Sequence, residues 1–489
     1  MKAPRTTVSL ARLKRRALSL GAVKTFDHAL QFLLPVLLVR ALDPTLFGEY
    51  RLLWLAVGTV MTFATLNMCG TLFFFVPRSE PRRRRLYIHQ TMLYLVLAGS
   101  LCGFLVSPLN PLLPDAMQPL VKYGFLVPAI VGLWVAGILL DRLPTVDERI
   151  SWQGRAIVAV SLIRVVLMGL AAWFTGDLRL MLWLLLAVVF FKVVLLVFYV
   201  ARHHGLGRPW FEWTAFSEQF RHSAPLGINS AFYGFRGKAD QWVAASLFSI
   251  SSFAAFSIAA VVGQLMHIVR SSVLQAFLPS MSRLQAAGDV RGMLRMNSRG
   301  NVIVGKLFYP MLAFAFVFAE DIVTLLYTAA YVEAAPVVRV YIVGMVAMVV
   351  EMGSLVMLLR QGMYAMGVTG FTLAMSIALS WSAAHYVGLA GAAMGSVLAV
   401  YVDRMLVLRR IAGHTGIALG RLQDWRTLAT SLVLAVATAA LAWVMVERIF
   451  PGREPLLRLA AGAAPFALVY AVVYLRSGFF QTLKDKEAI

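Results

Sequence analysis

Ionisable side chains stand inside the long apolar stretches of this 489-residue chain, and they lean positive: Lys24, Arg164, Lys192, Arg236, Lys238, His267, Arg270 and Lys306. A charge at such depth costs several kcal/mol unless it faces a polar cavity or a partner, so these residues are the first candidates for function. Arg grips anionic oxygens in a forked, charge-assisted geometry and Lys supplies a point charge, which makes Lys24, Arg164, Lys192, Arg236, Lys238 and Arg270 candidate anion-binding groups. The chemistry is capture and release, with no bond broken. Asp27, Asp240 and Glu351 are the acidic counterparts. A carboxylate that titrates or holds an ion in one state would couple transport to a proton or sodium gradient.

Structural roles compete with these. Lys24 and Asp27 stand three apart, and Arg236 and Asp240 four apart, so each pair could be a neutralised bridge on one helical face. Arg40 and Lys306 lie where long side chains snorkel toward a membrane surface. Glu351 has no basic residue one helical turn away.

The elements that must position these groups follow from the apolar pattern. With 60% hydrophobic residues, 14% charged residues and a mean hydropathy of +0.77, the chain is too apolar for a fold whose surface faces water. Runs able to cross a roughly 30 Å hydrocarbon core number about fourteen. They lie near 18–42, 48–76, 86–108, 119–141, 155–175, 178–201, 224–248, 252–278, 300–322, 335–359, 363–386, 389–411, 426–446 and 456–476. The expected fold is therefore an all-α membrane protein.

Charge placement orients it. With the N-terminus inside, alternate loops collect the basic clusters: Arg78 with Arg82 to Arg85, Arg202 to Arg221, Arg283 to Arg299, Arg409 to Arg426, and Lys484 with Lys486. Roughly 30 of the 45 Lys and Arg fall on that side, the bias expected of cytoplasmic loops, and both termini are expected in the cytoplasm. The net charge of +22 and pI near 10.5 then need anionic lipid headgroups and no nucleic acid. The basic start, MKAPRTTVSLARLKRRALSL, reads as a cytoplasmic tail over 1–17 followed by a span too long for a signal peptide.

The longest inner connection, 202–223, mixes Trp210, Trp213, Phe216 and Phe220 with charges at helical spacing and reads as an interfacial amphipathic linker. It separates an N-lobe over 18–201 from a C-lobe over 224–411, with two further spans over 426–476 and a cytoplasmic tail over 477–489. A faint repeat agrees with this division: Phe47, Gly48, Tyr50 and Leu52 are echoed by Phe253, Ala254, Phe256 and Ile258. Pro35, Pro128, Pro225 and Pro310 stand within or beside spans where they can kink them, and the run Gly388 to Gly395 would let helices approach closely. Cys69 and Cys102, the only cysteines, lie in apolar runs as small hydrophobes. Outer loops are too short for a catalytic domain, and no metal-ligand, phosphate-loop or nucleophile spacing stands out. No catalytic residue, metal or cofactor is expected.

Several segments carry a family resemblance. LLVRALDPTLFGEYRLLWL, LGINSAFYGFRGKADQWVAASLF, LPSMSRLQAAGD, AEDIVTLLYTAAYVEAAPVVRVYIV and YVGLAGAAMGSVLAVYVDRMLVLRR, in this order, resemble the polysaccharide transporter (Wzx-type) flippases of the multidrug/oligosaccharidyl-lipid/polysaccharide exporter superfamily. The chain departs from the family pattern at Asp43, where Gly often precedes the Pro, and after Asp240, where a Gly is usual. The resemblance implies two six-helix lobes plus two C-terminal helices, with helices one, seven and eight lining a central cavity where Lys24, Arg236, Lys238 and Arg270 would converge. It implies a flippase that moves a polyprenyl-pyrophosphate-linked oligosaccharide, for O-antigen, capsule or exopolysaccharide, across a bacterial inner membrane by alternating access. Its partners would be that lipid-linked glycan, membrane lipids, and the polysaccharide polymerase and chain-length machinery. A peptidoglycan lipid II flippase is the chemically nearest alternative. A drug or cation antiporter of the superfamily would favour acidic cavity residues, and a membrane glycan polymerase would need a long external loop.

Overall fold

The structure, a computed structural model, describes the backbone of residues 10–476 and the side chains of residues 23, 25–261 and 277–473. A chain in lipid has no water to satisfy its amides, so its apolar runs close their hydrogen bonds locally as helices. Among the described residues there are helices and turns and no strand. Two compact units divide the chain, Met1–Phe235 and Arg236–Ile489.

The first unit contains α1 (Leu10–Ala41), α2 (Pro44–Ala64), α3 (Met68–Phe75), α4 (Pro81–Leu105), the short α5 (Gln118–Val121), α6 (Leu126–Ala136), the short α7 (Leu143–Val146), α8 (Ile150–Thr175), α9 (Leu178–His203) and nearly all of α10 (Trp213–Arg236). Local signals set their ends. Asp43 caps α2, accepting from the Thr45 and Leu46 amides at 2.8 and 3.1 Å, with Pro44 pre-set at the first helical position. Gly176, at φ +58°, stops α8, and Asp177 then caps α9.

Helices α2 and α3 meet at a 44° bend where Leu66 and Asn67 take positive φ. Helix α10 packs on that bend through Gly227, where a Cβ would stand 2.4 Å from the Leu66 carbonyl. It begins within the 202–223 connection and runs unbroken through Pro225 to Arg236. Its buried Gln219 donates to Thr71 at 3.0 Å and Thr91 at 2.9 Å and accepts from Gln90 at 2.7 Å, a network that joins α3, α4 and α10 away from solvent.

The second unit holds α11 (Ala239–Leu247), α12 (Ile250–Ala286), α13 (Val290–Val317), α14 (Ala319–Tyr327), α15 (Ala334–Met348), α16 (Gly353–Leu358), α17 (Gly362–Val387), α18 (Leu389–Thr415), α19 (Trp425–Ile449) and α20 (Pro455–Arg476). Three expected spans of this unit are interrupted, that over 300–322 only by the turn at Phe318 between α13 and α14. The run 224–248 breaks at Gly237 and Lys238, and the run 335–359 breaks between α15 and α16 at Glu351. The break at Glu351 is supported by α13: Asn301 Oδ1 accepts from the Glu351 amide at 3.1 Å, and Asn297 Nδ2 donates to the Glu351 carbonyl at 3.2 Å. Gln423 closes this buried cluster at 3.0 Å to each Asn.

All fourteen expected spans fall on helical segments, and the chain is a multi-pass membrane protein. Nine described helical segments are long and apolar enough to cross a membrane, ten if the bent α2–α3 pair is one span. The other expected spans lie on α1, on α10 with α11, on α12 and on α15 with α16, outside that count. The number fourteen is not reached by this measure.

The small-residue run expected to allow close packing does so between α17 and α18. A Cβ at Gly391 would lie 2.1 Å from the Ala383 carbonyl oxygen, and one at Gly395 2.2 Å from the Ser380 amide nitrogen. Gly395→Val is therefore expected to cost at least about 2 kcal/mol, read as a lower thermal midpoint in detergent. Gly367→Ala, where a Cβ meets nothing within 4 Å, should leave that midpoint unchanged or raise it.

Between α7 and α8, Asp147 accepts from His204 Nε2 and from the Tyr199 hydroxyl, both at 2.7 Å. Burial alone would push its carboxyl up, but these hydrogen bonds, with charge on His204 and Arg149, outweigh burial and hold it below the ordinary range. A carboxyl lowered by folding stabilises the protein above its unfolded-state pKa and loses that contribution as pH falls through the folded value. The stability gap between wild type and Asp147→Asn should accordingly be full at neutral pH and close on acidification, measured as thermal midpoints across a pH series.

Candidate functional site

The first unit encloses a cavity of about 410 Å³ that gathers several of the expected charges. Asp27 comes from α1, Trp134 from α6, Arg164 from α8 and Lys192 from α9, while Asp141 and Arg142 come from the turn that ends the α6 run. Arg164 and Lys192 are carried on long, mostly apolar helices, so rigid backbone holds each at a fixed depth.

Trp134 is the hub. Lys192 Nζ lies 5.3 Å and Arg164 Cζ 5.8 Å from its ring centre, and Arg164 also stands 5.5 Å from the ring of Trp54. The two indoles meet edge-on at 4.8 Å. Each cation faces a π system that compensates part of its lost hydration, worth up to about 2 kcal/mol when desolvated.

The partners differ in a way that assigns roles. Lys192 is buried but ion-paired, its Nζ 2.7 Å from Asp141. Asp27 accepts from Ser161 and, at 2.8 Å, from Gln31 Nε2. Arg164 is only 8% exposed, its Nε is buried with no hydrogen-bond partner, and among the described residues it forms no ion pair. Three side-chain cations, Arg142, Arg164 and Lys192, thus share the lining with two carboxylates; among the described residues only Lys192 is ion-paired, and of the other two Arg164 is the buried one. A cavity lined by a buried guanidinium that forms no ion pair among the described residues is suited to an anion that arrives and leaves.

The second unit places its charges differently. Arg236 donates to Asp403 at 2.9 Å and to Thr372 at 3.1 Å, and Arg404 approaches the other Asp403 oxygen at 3.7 Å. The one-face pairing of Arg236 with Asp240 that their spacing allows is interrupted by the helix break at Gly237 and Lys238. Asp240, fully enclosed, accepts from Tyr341 at 2.9 Å, from Ser396 at 2.5 Å and from the Gln241 amide at 2.8 Å. Lys238 is half-buried at the start of α11. Glu351 accepts from the Ser354 amide at 3.1 Å, and its Oε2 is buried without a partner. Lys24 and Arg270, with His267, lie outside the described side chains.

The structure thus brings Asp27, Arg164 and Lys192 into one cavity, and it places Arg236, Lys238, Asp240 and Glu351 in the other unit. Sequence reasoning passed over Asp141, Trp134, Asp403, Tyr341 and Ser396. Asp403 carried a usable signal, because it is an acid within an apolar run, as Glu351 is. Tyr341 and Ser396 carried none, since a hydroxyl in a span is unremarkable until a buried carboxylate is found beside it.

Comparison with known proteins fits this architecture. The chain can be superposed on the lipid II flippase MurJ in its inward closed conformation with a TM-score of 0.69, covering 94% of this chain and 99% of that one at 10% identity. An inward-facing MATE family multidrug resistance transporter of the MOP superfamily matches with a TM-score of 0.59 at 12% identity over 80% of this chain and 96% of its own. The MATE multidrug transporter DinF-BH matches with a TM-score of 0.56 at 13% identity over 86% of this chain and 100% of its own. The chain shares its fold with these transporters. Residues 129–336 match a family described as "Polysaccharide biosynthesis protein", in keeping with the polysaccharide-transporter resemblance of the sequence. No curated protein matches the chain significantly.

Proposed function

We propose that the protein is a flippase that carries a polyprenyl-pyrophosphate-linked oligosaccharide from the cytoplasmic to the outer leaflet of a bacterial inner membrane. The observation that carries this reading is Arg164, a buried guanidinium that lines a cavity and forms no ion pair among the described residues. Pyrophosphate supplies the missing negative charge, and Arg164 binds it while the indoles of Trp54 and Trp134 hold the guanidinium in place. The glycan follows the pyrophosphate through the protein and the lipid tail stays in the bilayer. The N-lobe over 18–201 and the C-lobe over 224–411 alternate access, with both termini cytoplasmic.

Arg236 and Lys238 serve the same anion from the second unit in this reading, with Lys24 and Arg270 as further cations. Asp27, Asp240 and Glu351 are the carboxylates proposed to couple transport to a proton or sodium gradient. Asp27 has the strongest support, since it lines the cavity beside Arg164. The polymerase and chain-length machinery would receive the flipped glycan.

A lipid II flippase is the second reading, favoured by the near-complete superposition on a protein of that description. Both substrates share the pyrophosphate. They are separated in cells: removing the protein should cause an oligosaccharide-loaded polyprenyl pyrophosphate to accumulate while growth and peptidoglycan synthesis continue. Accumulation of lipid II with cell lysis would replace the first reading by the second.

A further inference from the structure

A second cavity of the first unit, about 500 Å³, lies where α4 begins, α7 gives way to α8 and α9 ends. Three guanidiniums line it, those of Arg84, Arg85 and Arg149, together with the imidazoles of His203 and His204. Arg84 is fixed by donating from Nε to the Val76 carbonyl at 3.2 Å. Arg85 lies along the glycine-containing loop after α9: a Cβ at Gly207 would come 3.3 Å from its Nη1, and one at Gly205 3.8 Å from its Cζ. Its Nε is buried without a hydrogen-bond partner.

Two carboxylates share this lining. Asp147 is committed to His204 and Tyr199, and the Asp147 and His204 side chains are each only 8% exposed. Glu148, on the exposed rim, is the other acid of the lining. Among the described residues none of the three arginines forms an ion pair. Three guanidiniums around a cavity of this size, two of them held by backbone and loop, are the features of an oxyanion site.

We infer that this cavity binds a phosphate-type oxyanion, with Arg85 and Arg149 as the main clamps. The ligand is either the phosphate of an anionic phospholipid or a soluble phosphate or pyrophosphate, since both present the same oxygens. The inference does not depend on the flippase reading, because it concerns binding away from Asp27, Arg164 and Lys192.

The test uses full-length protein carrying Arg164→Gln, which removes the unpaired cation of the other cavity. Inorganic pyrophosphate is titrated calorimetrically in detergent, and retention of phosphatidylglycerol against phosphatidylcholine is read by native mass spectrometry from mixed nanodiscs. One of these ligands should bind, and Arg85→Gln should weaken it by about tenfold or more. Arg149→Gln, at an exposed position that folding tolerates, should do the same. Pyrophosphate binding lost in both variants supports a soluble ligand, and phosphatidylglycerol retention lost in both supports a lipid headgroup. No binding of either, or binding equal in all variants, overturns the site whatever the outcome for transport.

Discussion

Arg164→Ala is expected to slow flipping of lipid-linked oligosaccharide by at least about tenfold, because a charge-assisted contact to pyrophosphate is worth 1.5 to 3 kcal/mol, as a rough guide, and each 1.4 kcal/mol is a factor of about ten. The same substitution should leave thermal stability unchanged or raise it. A buried cation with a built-in counter-ion destabilises its fold when removed, whereas one without a partner was a cost to the fold from the start. Arg164 is of the second kind: 8% exposed, Nε unsatisfied, no ion pair among the described residues. Arg164→Lys keeps the charge and loses the fork, so it should recover part of the rate. Loss of stability in Arg164→Ala with transport otherwise normal would make Arg164 a packing residue of the Trp54–Trp134 cluster.

Arg236→Ala is expected to fail differently, by destabilising the second unit by about 3 to 5 kcal/mol. Its guanidinium neutralises Asp403, which is 7% exposed, and removing it strands a carboxylate among apolar side chains. Arg404, 3.7 Å from the other Asp403 oxygen, softens the loss and favours the lower end of that range. Replacing both partners, as Arg236→Met with Asp403→Leu, should restore part of the stability, since the pair is exchanged for apolar volume while Arg404 loses its contact with Asp403. Thermal midpoints of the purified variants, set beside their flipping rates, separate the two roles proposed for this residue. If Arg236→Ala is as stable as wild type yet does not flip, Arg236 is first a substrate group.

These two arginines show what sequence could and could not convey. Both stood out for the same reason, a guanidinium inside an apolar run, and the one local difference, an acid four residues from Arg236, pointed to the wrong partner. The partner of Arg236 lies 167 positions away, and no local spacing announces it. Membership of helices was legible because the apolar runs of a membrane chain are long and have one way to satisfy their amides. Breaks within runs were less so: Glu351 reads as an isolated acid, and only the Asn297, Asn301 and Gln423 cluster shows that it stands at a gap between α15 and α16. The four-residue spacing of Arg236 and Asp240 presupposed a continuous helix, which the turn at Gly237 and Lys238 removes. The cavity of the first unit was half legible, in Asp27, Arg164 and Lys192. Its other half, Trp134 and Asp141, looked like span filler and a span end until the fold closed around them.

The central claim is that this chain moves a polyprenyl-pyrophosphate-linked oligosaccharide. Its most direct test is flipping in proteoliposomes of the purified protein, with a fluorescent lipid-linked oligosaccharide, lipid II and a cationic dye supplied in parallel. Protein-dependent movement of the oligosaccharide lipid is expected, abolished or strongly reduced by Arg164→Ala, with little movement of the dye. Transport of the dye with no movement of either lipid would contradict it and make the protein an extruder.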